Sequence, residues 1–246
     1  KSLPRFASEQ RYIFLNIFYL ALSLIVACLL YQIARSYSTS PPACFTFVLL
    51  SLYCTFLWHH LRAGGQEPLQ LLFFCGLYLG LIHYLRAEKA KNVPSLLFVY
   101  GSLLALVLTK FSFIIFLPLI VVFSFLRNIR PGIRAEQQKP LVLPRTLLWH
   151  GILPVLVLAL LLFLNWWKFG DALLTGYEQW RPDDVRLTGS YSGFLVDLFF
   201  SEQWSMFAAF PLLLFALPFA RKFFRRQRGE YLFLLLGFCL QCLLIG

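Results

Sequence analysis

The side chains able to do acid–base or phosphate chemistry are few here, and they gather in short stretches between apolar runs. Asp and Glu together number 11 in 246 residues. Glu67 stands in Arg62-Ala-Gly-Gly-Gln-Glu-Pro68, and Lys110 is alone between two apolar runs. Lys168, Asp171, Tyr177 and Glu178 belong to NWWKFGDALLTGYEQW at 165–180, with Asp183, Asp184, Asp197 and Glu202 close behind. A carboxylate can deprotonate an acceptor hydroxyl. A lysine ammonium is a point charge suited to a phosphate.

Each of these residues also has a plain structural reading. Glu67, just before Pro68, suits the first turn of a helix, where the dipole favours negative charge. Lys110 at a helix C-terminus can snorkel outwards and complement the dipole there. Asp171, Glu178, Asp183 and Asp184 are general bases, metal ligands or simply solvated acids. Trp166 and Trp167 suit a membrane–water interface, and Gly170 and Gly176 permit backbone turns other residues resist. The four histidines, His59, His60, His83 and His150, form no HExxH or Ser–His–Asp pattern. Asp183-Asp184 is a weak metal signal, so a divalent metal stays open but no ligand set is read.

The elements that must position these groups are apolar. The chain is 59% hydrophobic, 18% aromatic and only 13% charged, with a mean hydropathy of +0.72. A soluble domain is roughly 45–50% apolar and about 25% charged. Long apolar runs rather than short alternating strands predict an all-α integral membrane protein, a polytopic helical bundle. About eight membrane segments are expected, at 12–34, 43–60, 68–85, 94–109, 111–126, 146–167, 204–220 and 231–246. Residues 94–126 as one helix would be about 50 Å long against a ~30 Å hydrocarbon core, so a break is expected at Thr109-Lys110. The chain opens at Lys1 and ends inside an apolar run, and reads as a single transmembrane domain (1–246) cut from a longer protein. The six cysteines lie in apolar runs and read as small buried hydrophobes.

Charge supports the break. With the 127–145 connection inside, the inner loops hold fourteen of the 22 Lys and Arg, against Glu88, Glu136 and Glu230. Lys and Arg excess marks the cytoplasmic side, so the formal +11 net charge speaks of orientation rather than nucleic acid. The other eight carboxylates fall outside. Acids contribute little to topology, so their gathering points to a polar working face. That face comprises an outer loop over 168–203, with a re-entrant or interfacial piece at 193–205 leading into the next segment. The basic run RKFFRRQR at 221–228 reads as a loop anchoring the protein against anionic lipid head groups.

NWWKFGDALLTGY resembles the N-x-x-R-F-G-x-x-x-x-T-G-Y stretch of bacterial membrane glycosyltransferases of the GT-C class, relatives of the dolichyl-phosphate-mannose protein mannosyltransferases. GGQEPLQLLFF is similar to their S-E-P-L loop-to-helix junction. LALVLTKFSFIIFLPLIVV resembles their L-x-x-L-T-[RK] and P-L-L pair, and GFLVDLFFSEQWSMFAAFPLLLF their later G-L-L-F-S segment. The likeness covers roughly residues 5 to 220. It implies a GT-C-like bundle in a bacterial inner membrane. There a sugar would pass from a polyprenyl-phosphate carrier to a lipid, glycan or protein acceptor on the non-cytoplasmic face. It also implies that the family's catalytic aspartate, in the first outer loop, would lie before Lys1. Lys168 stands where the family has Arg, and Glu202-Gln203-Trp204 replaces a Pro/Gly-rich turn.

On that comparison Lys110 is the first candidate cation for the leaving lipid phosphate and Lys168 the second. Glu67 would orient an acceptor or a loop, and Asp171, Tyr177 and Glu178 would line the substrate site. Two other classes fit the composition. A lipid-linked glycan transporter or flippase would need charged residues lining a path through the bundle. A non-catalytic assembly subunit would lack the outer-loop aspartate.

Overall fold

A computed structural model describes residues 5–53, 61, 66–86, 92–129, 145–173 and 212–245. Among them every regular element is helical: α1 (Arg5–Arg35), α2 (Pro41–Tyr53), α3 (Glu67–Arg86), α4 (Asn92–Thr109), a 3-10 turn (Phe111–Ile115), α5 (Phe116–Ile129), α6 (Arg145–Phe169), α7 (Leu212–Arg226) and α8 (Arg228–Ile245). Three stretches, Ile13–Arg35, Glu67–Arg86 and Trp149–Phe169, are long and apolar enough to cross a membrane. The protein is therefore read as an all-helical membrane protein. Its outward apolar side chains, such as Phe14, Ile17 and Val155, suit hydrocarbon rather than water.

Small residues set the central packing. A Cβ on Gly76 would meet Ser102 Oγ at 3.1 Å, and one on Gly80 would meet Phe98 and Val99 at 2.9 and 3.0 Å. Helices without a water-driven force between them rely on such close approach. The pairing 76 with 102 and 80 with 98 runs α3 and α4 antiparallel. On the other side of α5, Gln241 meets Ser112, Gly237 faces Phe116, and Phe233 packs on Phe123. So α5 and α8 are antiparallel as well. Leu77, Leu81, Leu103, Leu106, Ile120 and Phe233 form the buried core between these helices. Val26, Val48, Leu52 and Leu61 tie α1 to α2 in a smaller cluster.

These registers fix which chain ends lie together. Arg86 and Tyr78 of α3 meet Tyr37, just after α1, and Glu230 at the start of α8. Tyr84 of α3 meets His150 near the start of α6. Hence Arg35, Arg86, Arg145 and the 221–228 run occupy one end, here called the basic end. Glu67, Lys110 and the close of α6 occupy the other. The expected reversal at Thr109-Lys110 is present: α4 climbs from the basic end, Lys110 is extended (φ −154°, ψ 116°), and α5 returns.

The segment expected at 111–126 is present and opens as a 3-10 turn before becoming α5. The helix expected to end near 167 runs on through Phe169, so Lys168 sits in its last turn. One expectation needs correction: the 221–228 run is not a loop. Residues 221–226 complete α7, and Gln227 alone is non-helical before α8. The Gln227 N–H closes α7 on the Phe223 carbonyl (2.8 Å), and its own carbonyl starts α8 by accepting from Tyr231 N–H (2.9 Å). A one-residue corner is shorter than the 2–5 residues usual in an antiparallel helical hairpin. The expected re-entrant piece at 193–205 lies outside the described residues.

Candidate functional site

Four of the six sequence-nominated residues are described: Glu67, Lys110, Lys168 and Asp171. Tyr177 and Glu178 lie outside the described residues, as do Asp183 and Asp184. The antiparallel registers bring the four to one end of the bundle. They do not assemble them: among the described residues no ion pair joins any of them to another. No three His, Cys, Asp or Glu among the described residues stand together to hold a metal.

The local structure of each is definite. Glu67 is exposed in the first turn of α3, where its charge complements the dipole. Lys110 is half-buried. Its N–H closes α4 on Leu106 O (3.1 Å), and its carbonyl accepts from Phe113 N–H to start the 3-10 turn (3.1 Å). The backbone is thus held on both sides while the ammonium has no partner carboxylate among the described residues. At the close of α6, Gly170 adopts φ +76°, the left-handed region glycine favours, and its N–H bonds Trp166 O at 2.8 Å. Asn165 Nδ2 donates to Ala172 O (3.4 Å). Asp171 Oδ1 accepts from Leu173 N–H (2.9 Å), an Asx turn. Lys168, Asp171, Trp166 and Trp167 all project into the surroundings of this turn as exposed side chains.

A cleft of about 480 Å³ opens between α1, α3 and α4, lined by Leu29, Leu72, Phe73, Phe98, Ser102 and Ala105 among others. It holds no titratable side chain, so it offers room for hydrocarbon and no acid–base chemistry. On α4 its lining ends at Ala105, roughly 7.5 Å of helical rise before Lys110.

The best-formed polar constellation was missed in the sequence. Glu230, 3% exposed, receives Arg86 through Nε on Oε1 (3.1 Å) and Nη2 on Oε2 (3.2 Å). This is the two-pronged geometry that makes arginine–carboxylate pairs strong. Tyr37 donates its hydroxyl proton to Oε2. Having one proton, Tyr37 must then accept from Tyr78, whose oxygen is 2.6 Å away. The Arg86 guanidinium also lies 4.8 Å from the Tyr37 ring centroid, and its Nη1 donates to the Ser36 carbonyl. Burial first, then the bond to Glu230, pushes the Tyr37 phenol well above its ordinary value, so it stays a neutral donor. Since Arg86 and both tyrosines are fully engaged, the arrangement is a clasp joining α1, α3 and α8. A second link joins α3 to α6: Tyr84 OH and His150 Nε2 are 2.7 Å apart, with their rings edge-on. The available signal was Glu230 itself, an acid opening an apolar segment, which must find a cation once buried.

Compared with known proteins, the chain matches no family model, no curated protein and no solved structure.

Proposed function

We propose that this chain is the membrane bundle of a GT-C-like glycosyltransferase, with about eight membrane segments in residues 1–246. It would move a sugar from a polyprenyl-phosphate carrier to a lipid, glycan or protein acceptor on the non-cytoplasmic face. The observation that carries the reading is the placement of Lys110. Its backbone is pinned between two helices, its charge has no described counter-ion, and Glu67, Lys168 and Asp171 share its end of the bundle, opposite the arginine-rich end. Lys and Arg excess marks the cytoplasmic side, so the Lys110 end is assigned to the non-cytoplasmic face.

The chemistry follows. The bond from the anomeric carbon to the carrier phosphate breaks through an oxocarbenium-like centre, and the acceptor hydroxyl attacks that carbon after losing its proton to a carboxylate. The departing phosphate gains negative charge, and a pre-positioned cation stabilises it more than it stabilises the ground state. Lys110 supplies that cation. The cleft above Gly76 and Ser102 takes the carrier's hydrocarbon chain, which runs along α4 towards the lysine. Asp171 is engaged in its turn and is assigned to shaping the rim, with Lys168 beside it. No described residue is assigned as the base.

In the full-length protein, Lys110→Ala lowers transfer from a polyprenyl-phosphate sugar by roughly tenfold to a hundredfold, whereas Lys110→Arg, which keeps the charge, retains most of it. Turnover and donor affinity unchanged in the alanine variant would remove Lys110 from the site.

A further inference from the structure

We infer that the basic end carries a docking surface for anionic phospholipid head groups, built on α7 and the first turn of α8. It is independent of the transferase reading and lies at the opposite end of the molecule from Lys110.

Helical spacing makes the surface. Arg221 and Arg225, and Lys222 and Arg226, are two pairs four residues apart, so all four occupy one arc of the helix. Phe223 and Phe224 fall on the opposite arc. There Phe223 packs edge-on against Tyr37 at 5.5 Å and lies 6.1 Å from Tyr231, while Phe224 lies 5.3 Å from Tyr231. Just past the corner, Arg228 stacks over the Phe224 ring at 5.5 Å. The aromatic side of α7 is thus fastened to the clasp through Tyr37, and the cations are held outwards on a fixed base. Arg221, Lys222, Arg225, Arg226 and Arg228 are all exposed. None has an ion-pair partner among the described residues; the carboxylate nearest in sequence, Glu230, is buried and taken by Arg86.

The occupant follows from charge and depth. Five cations without a described counter-ion call for anions, and arginine's planar fork matches phosphate oxygens. The corner at Gln227 opens the apolar helix α8, and Phe219, two residues before the basic arc, is 66% exposed. The cations therefore lie at the rim of the hydrocarbon, with an apolar side chain beside them to enter it. Lipid phosphates sit at that level, and a polybasic, aromatic surface there selects anionic head groups over zwitterionic ones.

The test uses the whole chain in mixed micelles of phosphatidylglycerol and phosphatidylcholine, with co-purifying lipid read by native mass spectrometry. Wild type retains phosphatidylglycerol over phosphatidylcholine by roughly tenfold. The combined variant Arg221→Gln, Lys222→Gln, Arg225→Gln and Arg226→Gln brings the ratio to about one. The triple Arg221→Lys, Arg225→Lys, Arg226→Lys variant, which keeps the charge, stays selective. If the combined variant does not fold, the single Arg225→Gln and Arg226→Gln variants carry the test, each lowering the ratio. Equal retention of the two lipids by wild type, or undiminished selectivity in the glutamine variants, would overturn the proposal.

Discussion

A buried carboxylate is a liability that a membrane protein must neutralise, and Glu230 shows how this one does it. Its oxygens take two bonds from Arg86 and one from Tyr37. Removing one partner leaves the acid buried and under-compensated, a cost of several kcal/mol in a dry interior. Arg86 is itself 34% exposed, so solvent moderates the loss. Arg86→Ala should lower stability by about 1–3 kcal/mol, measured as a drop in thermal midpoint in detergent. An unchanged midpoint would mean that the clasp contributes nothing net. Lys110 poses the opposite case at the same scale: a cation left without a described partner is available to a ligand, whereas Arg86 is spent on holding the fold.

The contact between α3 and α4 is the tightest expression of sequence at the level of elements. Glycine is entropically poor in a helix, so its presence at 76 and 80 needs a reason, and the reason is distance. Gly80→Ala places a methyl 2.9 Å from Phe98 and 3.4 Å from the Val99 backbone nitrogen. It should destabilise the bundle by about 1–3 kcal/mol. Gly101→Ala meets nothing within 4 Å and should leave the thermal midpoint unchanged or slightly raised. Equal midpoints for the two variants would argue against close α3–α4 packing. The corner at Gln227 is the other lesson of this scale. The basic run lacks Gly and Pro and has good helix formers in Arg and Lys, so it continues α7. Its charge suggested a loop, but charge alone says nothing about backbone conformation.

For the whole molecule, the antiparallel registers divide the described charged groups between two ends. Arg35, Arg86, Arg145 and Arg228 share one; Glu67, Lys110, Lys168 and Asp171 share the other. In a cysteine-free background, Lys168→Cys and Arg228→Cys should therefore react with a membrane-impermeant thiol reagent from opposite sides of sealed vesicles. Labelling of both from the same side would overturn the arrangement.

What the sequence determined by itself was one-dimensional. Apolar run lengths told helix from strand. The length of 94–126 against the bilayer required the break at Lys110, and the distribution of Lys and Arg sorted the connections onto two faces. Each of these signals lies in contiguous residues, so no partner need be known. The Glu67, Lys110, Lys168 and Asp171 grouping was legible only to that depth: a shared end, not a constellation. The clasp was invisible because Tyr37, Tyr78, Arg86 and Glu230 come from the turn after α1 and from two further helices, up to 193 positions apart, and each has an ordinary neighbourhood in the chain. Packing decided it. Once Gly76 and Gly80 let α3 and α4 close up, and Gly237 let α8 reach Phe116, a carboxylate was buried, and the low polarity around it required the arginine and tyrosine that meet it there.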